Sequence, residues 1–427
     1  MEWLFLVGNG DFCLMYRLTY MQLLKDLHEA HEGACKNKWT RPAVQKFNRK
    51  KEENLQVIAL SLWFRTYKPR PMLCKIEHKP RKREVFVPAF EDEIVDYLYK
   101  IYTDEIYLRL YIQDLYSGIK GRGTKYGVER LEMHIRQESL NYTVPCYVLK
   151  GDIKGYYPHM KRQLLLEICL EGLRKMSMHR ITKRSPLRWC DVADMDFIEY
   201  LTTVIALLDP TENCKRVSPL WEWDDLPPEK SFFHMEKGRG VPPGKLTSGT
   251  FGNMYLNGLD HHMKRDLHFH HIGRFTDDFY VVSSDREFLL RMVPEIDLYL
   301  RTERGLELHK GKTRIFDVRK GVPFLGAFLM PHRRYMERRT LKGMRKKLVV
   351  VQQELREGGA DEHANSSINS YLGLARQFRG YNLARSVMLG EHHLDKYGIF
   401  TLGMKKFIFF RPWFFVRMKI ISTSNKL

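Results

Sequence analysis

Residues 273–282 place two adjacent acidic side chains between two short apolar runs, and no other segment constrains the fold of the chain as strongly. Apolar and aromatic residues on both sides of a polar pair predict a β-hairpin with Asp277 and Asp278 at its turn. Aspartate is common at turns because its side chain forms local hydrogen bonds, so a solvent-exposed hairpin tip is the alternative interpretation. The segment therefore predicts sheet structure and singles out two carboxylates.

A third acidic residue also follows a short apolar run. Residues 146–150 predict a buried strand, and Asp152 comes just after it. If Asp152 and Asp277 are neighbours in the folded chain, they form a carboxylate pair able to hold Mg²⁺ beside a triphosphate. In polymerases, two such ions roughly 3.5–4 Å apart activate an attacking hydroxyl and stabilise a leaving oxygen. The pair therefore predicts a site for two Mg²⁺ ions, for which Mn²⁺ is a chemically similar substitute.

The charge of the chain indicates a polyanionic partner. Lysine and arginine number 71 against 51 aspartates and glutamates, which gives a net charge of +20 over 427 residues. Nucleic acid is the simplest such partner, because neutralising its phosphates releases counterions and drives binding. The seven cysteines are scattered without a Cys-x-x-Cys pair, which favours reduced thiols in a cytoplasmic protein. The apolar runs 1–14 and 407–421 both contain charged residues, so we expect neither a signal peptide nor a membrane span.

Three further segments have the composition of loops that bind nucleotides or nucleic acid. Lys82 and Arg83 end a basic turn between two predicted strands, where lysine and arginine offer mobile and forked donors to a triphosphate. Lys120 and Arg122 alternate with glycines in residues 117–124, although the spacing is not that of a Walker loop. A Gly/Pro-rich loop then runs into a predicted helix whose Thr and Ser indicate an N-cap. Turns of this composition are also common on protein surfaces, so each segment has an ordinary structural interpretation as well.

Taken in order, these segments resemble the motifs of a reverse transcriptase over roughly residues 65–385. The Phe-Thr-Asp-Asp of residues 275–278 is similar to the aromatic-x-Asp-Asp box of that family, with Phe in place of the commoner Tyr. Asp152 matches the first catalytic aspartate, and Tyr157 matches the aromatic residue that lies under the sugar and clashes with a 2′-hydroxyl. The resemblance implies that the three aspartates are the catalytic and metal-binding residues.

The other matches concern nucleotide and nucleic-acid binding. Lys82 and Arg83 fall in a segment that resembles the fingers hairpin, which binds the incoming triphosphate. Gly244 and Ser248 resemble the helix start that positions template and nucleotide, and Lys312 matches a lysine that serves as general acid to the leaving pyrophosphate. Nucleic-acid contacts are expected from the glycine-rich loops, the primer-grip hairpin and the thumb, at Lys120, Arg122, Lys245, Phe324, Leu325, Gly326, Arg345 and Lys346.

The resemblance implies an α+β fold of the right-hand polymerase type, with fingers, a palm built on an antiparallel sheet and a helical thumb. The expected division is a helical N-terminal extension over 1–64, fingers over 65–140, a palm over 141–334 with a helical insertion at 161–235, and a helical thumb and C-terminal tail over 335–427.

Within the family, residues 209–211, 226–233 and 253–260 resemble prokaryotic reverse transcriptases of diversity-generating retroelements. The Ser-Gly of residues 248–249 departs from the Ser-Gln usual in those enzymes and favours the related defence-associated bacterial enzymes. These imply a cytoplasmic RNA-directed DNA polymerase that copies a structured non-coding RNA into cDNA from dNTPs, in an antiphage defence system. An accessory protein or a second copy of the chain are further candidate partners, and no membrane is expected.

Two other interpretations stay open from the sequence. An RNA-dependent RNA polymerase uses the same palm, although Tyr157 and the Phe-Thr-Asp-Asp box favour DNA synthesis. A catalytically silent RNA-binding scaffold explains the +20 charge equally well, although such a scaffold has no need of all three aspartates. The sequence leaves open the template RNA, the primer, the fidelity, the oligomeric state and the choice between defence and diversification.

Overall fold

A computed structural model describes residues 5–7, 11–13, 16–78, 82–357, 361–378 and 380–410, with the backbone alone for 5–7, 11–13 and 361–363. The basic turn at 79–81 and the part of the apolar C-terminal run beyond residue 410 lie outside the described residues.

Helices account for most of the regular structure. Their bounds are α1 (Tyr20–Cys35), α2 (Pro42–Asn48), α3 (Lys51–Trp63), α4 (Phe90–Leu108), α5 (Thr124–Glu138), α6 (Tyr156–His159), α7 (Arg162–Ser177), α8 (Met195–Ala206), α9 (Leu246–Tyr255), α10 (Asn257–Arg265), α11 (Arg286–Tyr299), α12 (Arg338–Arg356), α13 (Asp361–Gln377) and α14 (Tyr381–Arg385). None of the helices in the described ranges is both long enough and apolar enough to cross a membrane.

The strands are short. Their bounds are β1 (Phe5–Val7), β2 (Asp11–Cys13), β3 (Leu73–Glu77), β4 (Arg83–Val87), β5 (Tyr147–Gly151), β6 (Lys215–Arg216), β7 (His271–Phe275), β8 (Asp278–Ser283), β9 (Arg314–Asp317), β10 (Val322–Phe324), β11 (Ala327–Met330), β12 (Arg333–Met336), β13 (Gly398–Phe400) and β14 (Phe407–Phe409). The larger sheets have the orders β7-β8-β5-β9, β4-β3-β6 and β10-β11-β12, and β1-β2 and β13-β14 are two-stranded.

The predicted basic hairpin is formed by β3 and β4, which pair antiparallel from Leu73 opposite Val87 to Glu77 opposite Arg83. Side chains along both strands alternate between buried and exposed. This alternation fixes the register, because a slip of one residue would turn the apolar face to solvent. The buried face packs in one cluster with the insertion, formed by Met72, Cys74, Ile76, Phe86, Trp223, Leu226 and Phe232.

A buried carboxylate joins this hairpin to the insertion. Glu84 accepts hydrogen bonds from Trp223 Nε1 at 2.8 Å, from Ser231 Oγ at 2.6 Å and from the Phe232 amide at 2.7 Å. A buried carboxylate with three donors is satisfied without a metal or substrate. Glu84 therefore has a structural role, which no sequence pattern indicated.

The α+β fold class is confirmed, because the helices are combined with small separate sheets. The hairpin β7–β8 lies beside β5, as in the palm sheet of a right-hand polymerase. One helix start was predicted wrongly. Helix α9 begins at Leu246 with Lys245 at its N-cap and no side-chain cap, so Thr247 and Ser248 lie inside the helix, which ends at Tyr255 before α10 begins at Asn257.

The chain divides into two compact units. The first unit consists of residues 1–123, 149–281 and 287–314, and the second of residues 124–148, 282–286 and 315–427. The three aspartates, Tyr157 and Lys312 belong to the first unit, whereas the predicted primer grip and thumb residues belong to the second. The four-part division into extension, fingers, palm and thumb stays a prediction.

Candidate active site

Asp152 comes directly after β5, and a glycine brings this strand end close to β8. A Cβ added at Gly151 would lie 2.1 Å from Cζ of Phe279, so the Phe279 ring occupies the space that any other side chain would need. The glycine therefore allows close approach of the two strands. As a result, the carboxylate after β5 lies beside the hairpin that carries the other two.

A lysine neutralises Asp152. The Asp152 carbonyl accepts from the His309 amide at 2.8 Å, and residues 309–313 then turn back on themselves. This turn brings Lys312 Nζ to 2.6 and 2.7 Å from the two carboxylate oxygens of Asp152. The Lys312 side chain keeps 37% of its surface exposed, against 13% for Asp152, so the ammonium group lies at the solvent side of the pair.

The acidic hairpin turns at Thr276 and Asp277, and Asp278 is the first residue of β8. Thr276 has φ of 55°. This is an outlier for a β-branched residue, which pays steric strain in the left-handed region. The turn conformation is therefore held by further contacts, some from within the hairpin and some from neighbouring segments.

Arg274 makes the strongest of these contacts. Its Nη1 donates to the Thr276 carbonyl at 3.0 Å and its Nη2 to the Asn253 carbonyl at 3.2 Å. Its Nε and Nη2 donate to the two carboxylate oxygens of Asp260 at 2.7 and 2.6 Å. The side chains of Arg274 and Asp260 are both 0% exposed. A buried arginine in which all three guanidinium nitrogens donate a hydrogen bond fixes the turn that presents Asp277.

Ser117 supports the same turn from the glycine-rich loop. The Thr276 amide donates to Ser117 Oγ at 3.0 Å, and Ser117 Oγ donates to Asn253 Oδ1 at 2.9 Å. Asn253 Nδ2 in turn donates to the Ser117 carbonyl at 2.9 Å. Sequence reasoning missed Ser117, Asn253, Asp260 and Arg274, although an arginine inside an apolar strand next to an acidic pair was a usable signal.

The carboxylates of Asp152, Asp277 and Asp278 interact electrostatically. Burial, together with the charges of Asp278 and Asp152, raises the pKa of Asp277 to about 6 against the opposing effect of Lys312. Burial also raises the pKa of Asp278, with Lys150 and Lys312 acting against the charge of Asp152. Like-charged carboxylates in a half-buried site destabilise one another, so the site favours a bound cation.

The donor set fits Mg²⁺ that arrives with a nucleotide. Within the part of the chain that the structure describes, no three acidic, His or Cys side chains come together closely enough to form a metal site of their own. Mg²⁺ does not require such a cage, because it is usually bound through one or two carboxylates, several waters and the phosphates of the substrate.

Tyr157 lies in α6, in the helical turn after Asp152. Its ring packs against that of Tyr156 at 5.0 Å between centroids, and its carbonyl accepts from the Val241 amide at 3.0 Å. Burial raises the pKa of the Tyr157 phenol to about 12, with the charge of Asp277 adding to the effect. Tyr157 is therefore a neutral ring near the acidic turn.

Two predicted nucleotide-binding residues stand at the start of β4. The Lys82 Nζ lies 2.8 Å from Asp225, whose side chain is 77% exposed, so this pair is a weak surface contact. Arg83 is exposed. Both side chains are therefore available to a triphosphate at modest cost.

Gly244 and Ser248 shape the loop before α9. A Cβ at Gly244, where φ is 107°, would lie 2.7 Å from the Phe86 carbonyl oxygen, so this glycine lets the loop approach β4. Ser248 is buried and its hydroxyl donates to the Pro242 carbonyl at 2.6 Å. The hydroxyl thus holds the loop, and the predicted nucleotide contact of Ser248 itself stays a prediction.

The prediction that Lys245 contacts nucleic acid does not fit its position. Its side chain is 2% exposed, and Nζ lies 3.0 Å from Asp96 Oδ1. Burial raises the pKa of Asp96 to about 6 although Lys245 lowers it. The lysine serves a buried ion pair, because an unpaired buried carboxylate would cost several kcal/mol.

The two basic residues predicted in the glycine-rich loop differ in their contacts. Arg122 Nη1 donates to the Leu115 carbonyl at 3.0 Å and so closes its own loop. Lys120 is exposed. Of the two residues, Lys120 has the freer side chain for a phosphate.

The remaining predicted residues belong to the second unit. Phe324, Leu325 and Gly326 form the turn between β10 and β11, with φ of 47° at Leu325 and 82° at Gly326. This confirms the hairpin, whereas its grip on a primer stays a prediction. Arg345 makes two hydrogen bonds to Glu391 at 2.8 and 2.6 Å, and Lys346 is exposed.

Comparisons with known proteins give a distant structural similarity. No protein-family model matches the chain, and no curated protein matches it. Apo telomerase from Candida tropicalis is similar with a TM-score of 0.43 and 14% identity, over 76% of this chain and 59% of that one. Its complex with the TWJ fragment of telomeric RNA has a TM-score of 0.45 and 15% sequence identity, over 76% of this chain and 56% of that one. Telomerase from Candida albicans with the same fragment has a TM-score of 0.41 and 15% sequence identity, over 75% of this chain and 55% of that one. The chain thus spans little more than half the length of these proteins, and the geometry of the acidic site carries the functional conclusion.

Proposed function

We propose that the chain is an RNA-directed DNA polymerase. The observation that carries this proposal is the meeting of Asp152, at the end of one strand, with Asp277 and Asp278 on a neighbouring hairpin, where their charges interact. Perturbed carboxylates brought together from distant parts of the chain mark a functional site. The network of Arg274, which holds a strained turn, supports the proposal, because strain of this kind persists where a function needs it.

Each residue of the site has a chemical role in this proposal. Asp152 and Asp277, with Asp278 assisting, would hold Mg²⁺, which when bound would neutralise the charge of a triphosphate and activate the 3′-hydroxyl of the primer that attacks it. Lys312 carries protons at Nζ on the solvent side of Asp152, where they are available to a leaving pyrophosphate. Arg83 and Lys82 would neutralise the outer phosphates, and Tyr157 would favour deoxynucleotides.

RNA as the template is part of the same proposal. The net charge of +20 favours a phosphate backbone, and the resemblance to reverse transcriptases supplies the direction of copying. Within that family we place the chain with cytoplasmic, defence-associated prokaryotic enzymes, with a diversity-generating enzyme as the alternative. These finer assignments rest on the sequence resemblance alone.

Primer extension tests the proposal. The purified protein, Mg²⁺ and dNTPs are incubated with a labelled DNA primer annealed to an RNA template, and with the same primer on a DNA template as comparison. We expect extension on the RNA template. Extension that requires ribonucleotides would instead indicate an RNA polymerase, and RNA binding without any extension under Mg²⁺ or Mn²⁺ would leave the scaffold interpretation.

Replacing Tyr157 is expected to weaken discrimination against ribonucleotides. In Tyr157→Ala the ring that would contact a 2′-hydroxyl is lost, so the preference for dNTP over NTP should fall about tenfold or more, on the scale of one steric contact in a pocket. The ratio of kcat/KM values for dATP and ATP measures the effect. Tyr156→Phe is the control, because it keeps the neighbouring ring, and an unchanged ratio in Tyr157→Ala would contradict the assigned role.

Activity is expected to decline as the pH falls through about 6. The raised pKa of Asp277, about 6 in the folded protein, means that its carboxylate is protonated below this pH and ionised above it. Protons and Mg²⁺ compete for an ionised carboxylate, so the midpoint should move to lower pH as the Mg²⁺ concentration rises. Extension rates measured from pH 5 to 8 at two Mg²⁺ concentrations test this. A midpoint that does not change with the Mg²⁺ concentration would count against Asp277 as a metal-binding carboxylate.

A further inference from the structure

A concave basic surface lies in the first unit, where it shares no residue with the acidic site. A cavity of about 680 Å³ opens between the ends of α4 and α7, the loop after α7, helix α10 and the turn that follows α11. We call it the basic hollow and define it by the cationic residues that line it, which are Arg109, Lys175, Arg180, Lys183, Arg265 and Arg304. His179 and His261 add ring nitrogens to the lining, and Glu171 is its acidic residue.

The positive charge of the basic hollow is not neutralised by the residues that the structure describes. None of its six cationic side chains makes an ion pair with another described residue. Arg174, on the same helix as Lys175, shows the contrast, because it pairs with both carboxylate oxygens of Glu199 at 3.2 and 3.1 Å. An uncompensated cluster of this kind attracts a polyanion.

Two residues that line the hollow each carry a buried polar atom without a hydrogen-bond partner among the described residues. Arg304 Nε and Asn257 Oδ1 are both buried without a hydrogen bond among the described residues, and both residues line the hollow. Gly258 leaves room for the Arg304 guanidinium, because a Cβ there would lie 2.0 Å from Arg304 Nη2. Arg304 Nε is an unsatisfied donor, which suits a phosphate oxygen, and Asn257 Oδ1 is an unsatisfied acceptor, which suits a hydroxyl.

A ribose-phosphate strand supplies both groups. Its phosphate oxygens accept hydrogen bonds, and its 2′-hydroxyl donates one, which DNA lacks. A volume of about 680 Å³ holds one or two nucleotides, within the usual range of ligand pockets. Lys175, Arg180 and Lys183 are exposed, so they extend the positive charge outward from the hollow along the path of a continuing backbone.

We propose that the basic hollow binds the sugar-phosphate backbone of an RNA strand outside the acidic site and so anchors the RNA to the protein. The anchor deepens the proposed function, on which the choice of RNA rests. Contacts made to phosphates hold RNA irrespective of sequence, so this site fixes position and leaves copying to the acidic site.

The test is a binding measurement on the full chain. A variant with Lys175→Glu, Arg180→Glu and Lys183→Glu changes exposed side chains and should keep the fold, which circular dichroism verifies. The control carries Arg319→Glu, Lys320→Glu and Lys396→Glu, which gives the same change in net charge at three exposed positions of the second unit. Affinity for a labelled hairpin RNA is measured by fluorescence anisotropy at several salt concentrations, without nucleotides or Mg²⁺.

We expect the hollow variant to bind the RNA at least about tenfold more weakly than the control. The slope of log K against log salt should also fall in magnitude by about 2, since three phosphate contacts are lost. Equal affinities and slopes in the two variants would overturn the proposal. So would a result in which only inorganic tripolyphosphate, tested by calorimetry, distinguishes them, because the hollow would then take a free polyphosphate.

Primer extension separates this proposal from the proposed function. The wild-type protein could fail to extend a primer while its RNA binding still depends on the hollow. This result would contradict the proposed polymerase activity and support the RNA-binding site. Extension by the wild-type protein, together with equal RNA binding by the two variants, would support the polymerase and remove the anchor.

Discussion

Asp277→Asn is expected to lower primer extension by about 10³-fold or more while leaving the protein folded. The substitution keeps the shape of the side chain and removes the charge that would hold Mg²⁺, and several kcal/mol of transition-state stabilisation correspond to about this factor at 1.36 kcal/mol per tenfold. The free energy of unfolding should not decrease although the extension activity does. The pKa of Asp277 is raised to about 6, above its ordinary value, so its ionised form costs folding energy at pH 7 that the amide does not.

The sign of the stability change makes this prediction specific. A carboxyl with a raised pKa in the folded state contributes most stability below its unfolded pKa and loses that contribution as the pH rises through about 6. In metal-free buffer at pH 7, Asp277→Asn should therefore resist urea at least as well as the wild type. Asp395→Asn, at an exposed position of the second unit, is the control and should change neither property. Extension within tenfold of the wild type would show that the acidic turn is not the catalytic centre.

The acidic residues could be predicted from sequence because the signal is local. An aspartate placed between or after apolar strand residues is visible in a window of ten residues, and so are the glycines of the loops at 117–123 and 240–244. The α+β fold was predicted from the resemblance of these segments, taken in order, to the motifs of reverse transcriptases.

The supporting residues could not be predicted in the same way. Whether a lysine in a Gly/Pro-rich loop faces nucleic acid or a buried carboxylate depends on a partner far away in sequence, and for Lys245 that partner is Asp96. Glu84 belongs to the hairpin that carries Lys82 and Arg83, yet its three donors come from residues 223–232 of the predicted insertion. Tertiary contacts of this kind are set by packing, which no local pattern encodes.

Arg274→Met is expected to lower the free energy of unfolding by about 3–5 kcal/mol, because it leaves Asp260 charged and unpaired in the core. The two side chains are 0% exposed, so water cannot replace the lost hydrogen bonds. Arg174→Met is the matched control. It breaks an exposed pair with Glu199 and should cost about 0–1 kcal/mol. Urea unfolding followed by tryptophan fluorescence measures both changes.

The double variant Arg274→Met, Asp260→Leu separates the buried charge from the lost packing. Removing both partners takes away the unpaired carboxylate, so this protein should recover part of the stability lost in the single variant. Recovery cannot be complete, because the carbonyls of Thr276 and Asn253 still lack the donors that Arg274 supplied. A double variant less stable than Arg274→Met would mean that the unpaired charge of Asp260 is not the cause of the stability loss in the single variant.

Arg274→Lys tests whether the guanidinium also positions the catalytic turn. Lysine keeps the charge but cannot bind Asp260 with a fork while reaching Thr276, so the strained turn at φ of 55° would lose a support. We expect primer extension per folded molecule to fall more than stability does, with kcat affected more than KM. If Arg274→Lys were as active and as stable as the wild type, a single buried positive charge would be sufficient, and the forked contacts would have no part in presenting Asp277.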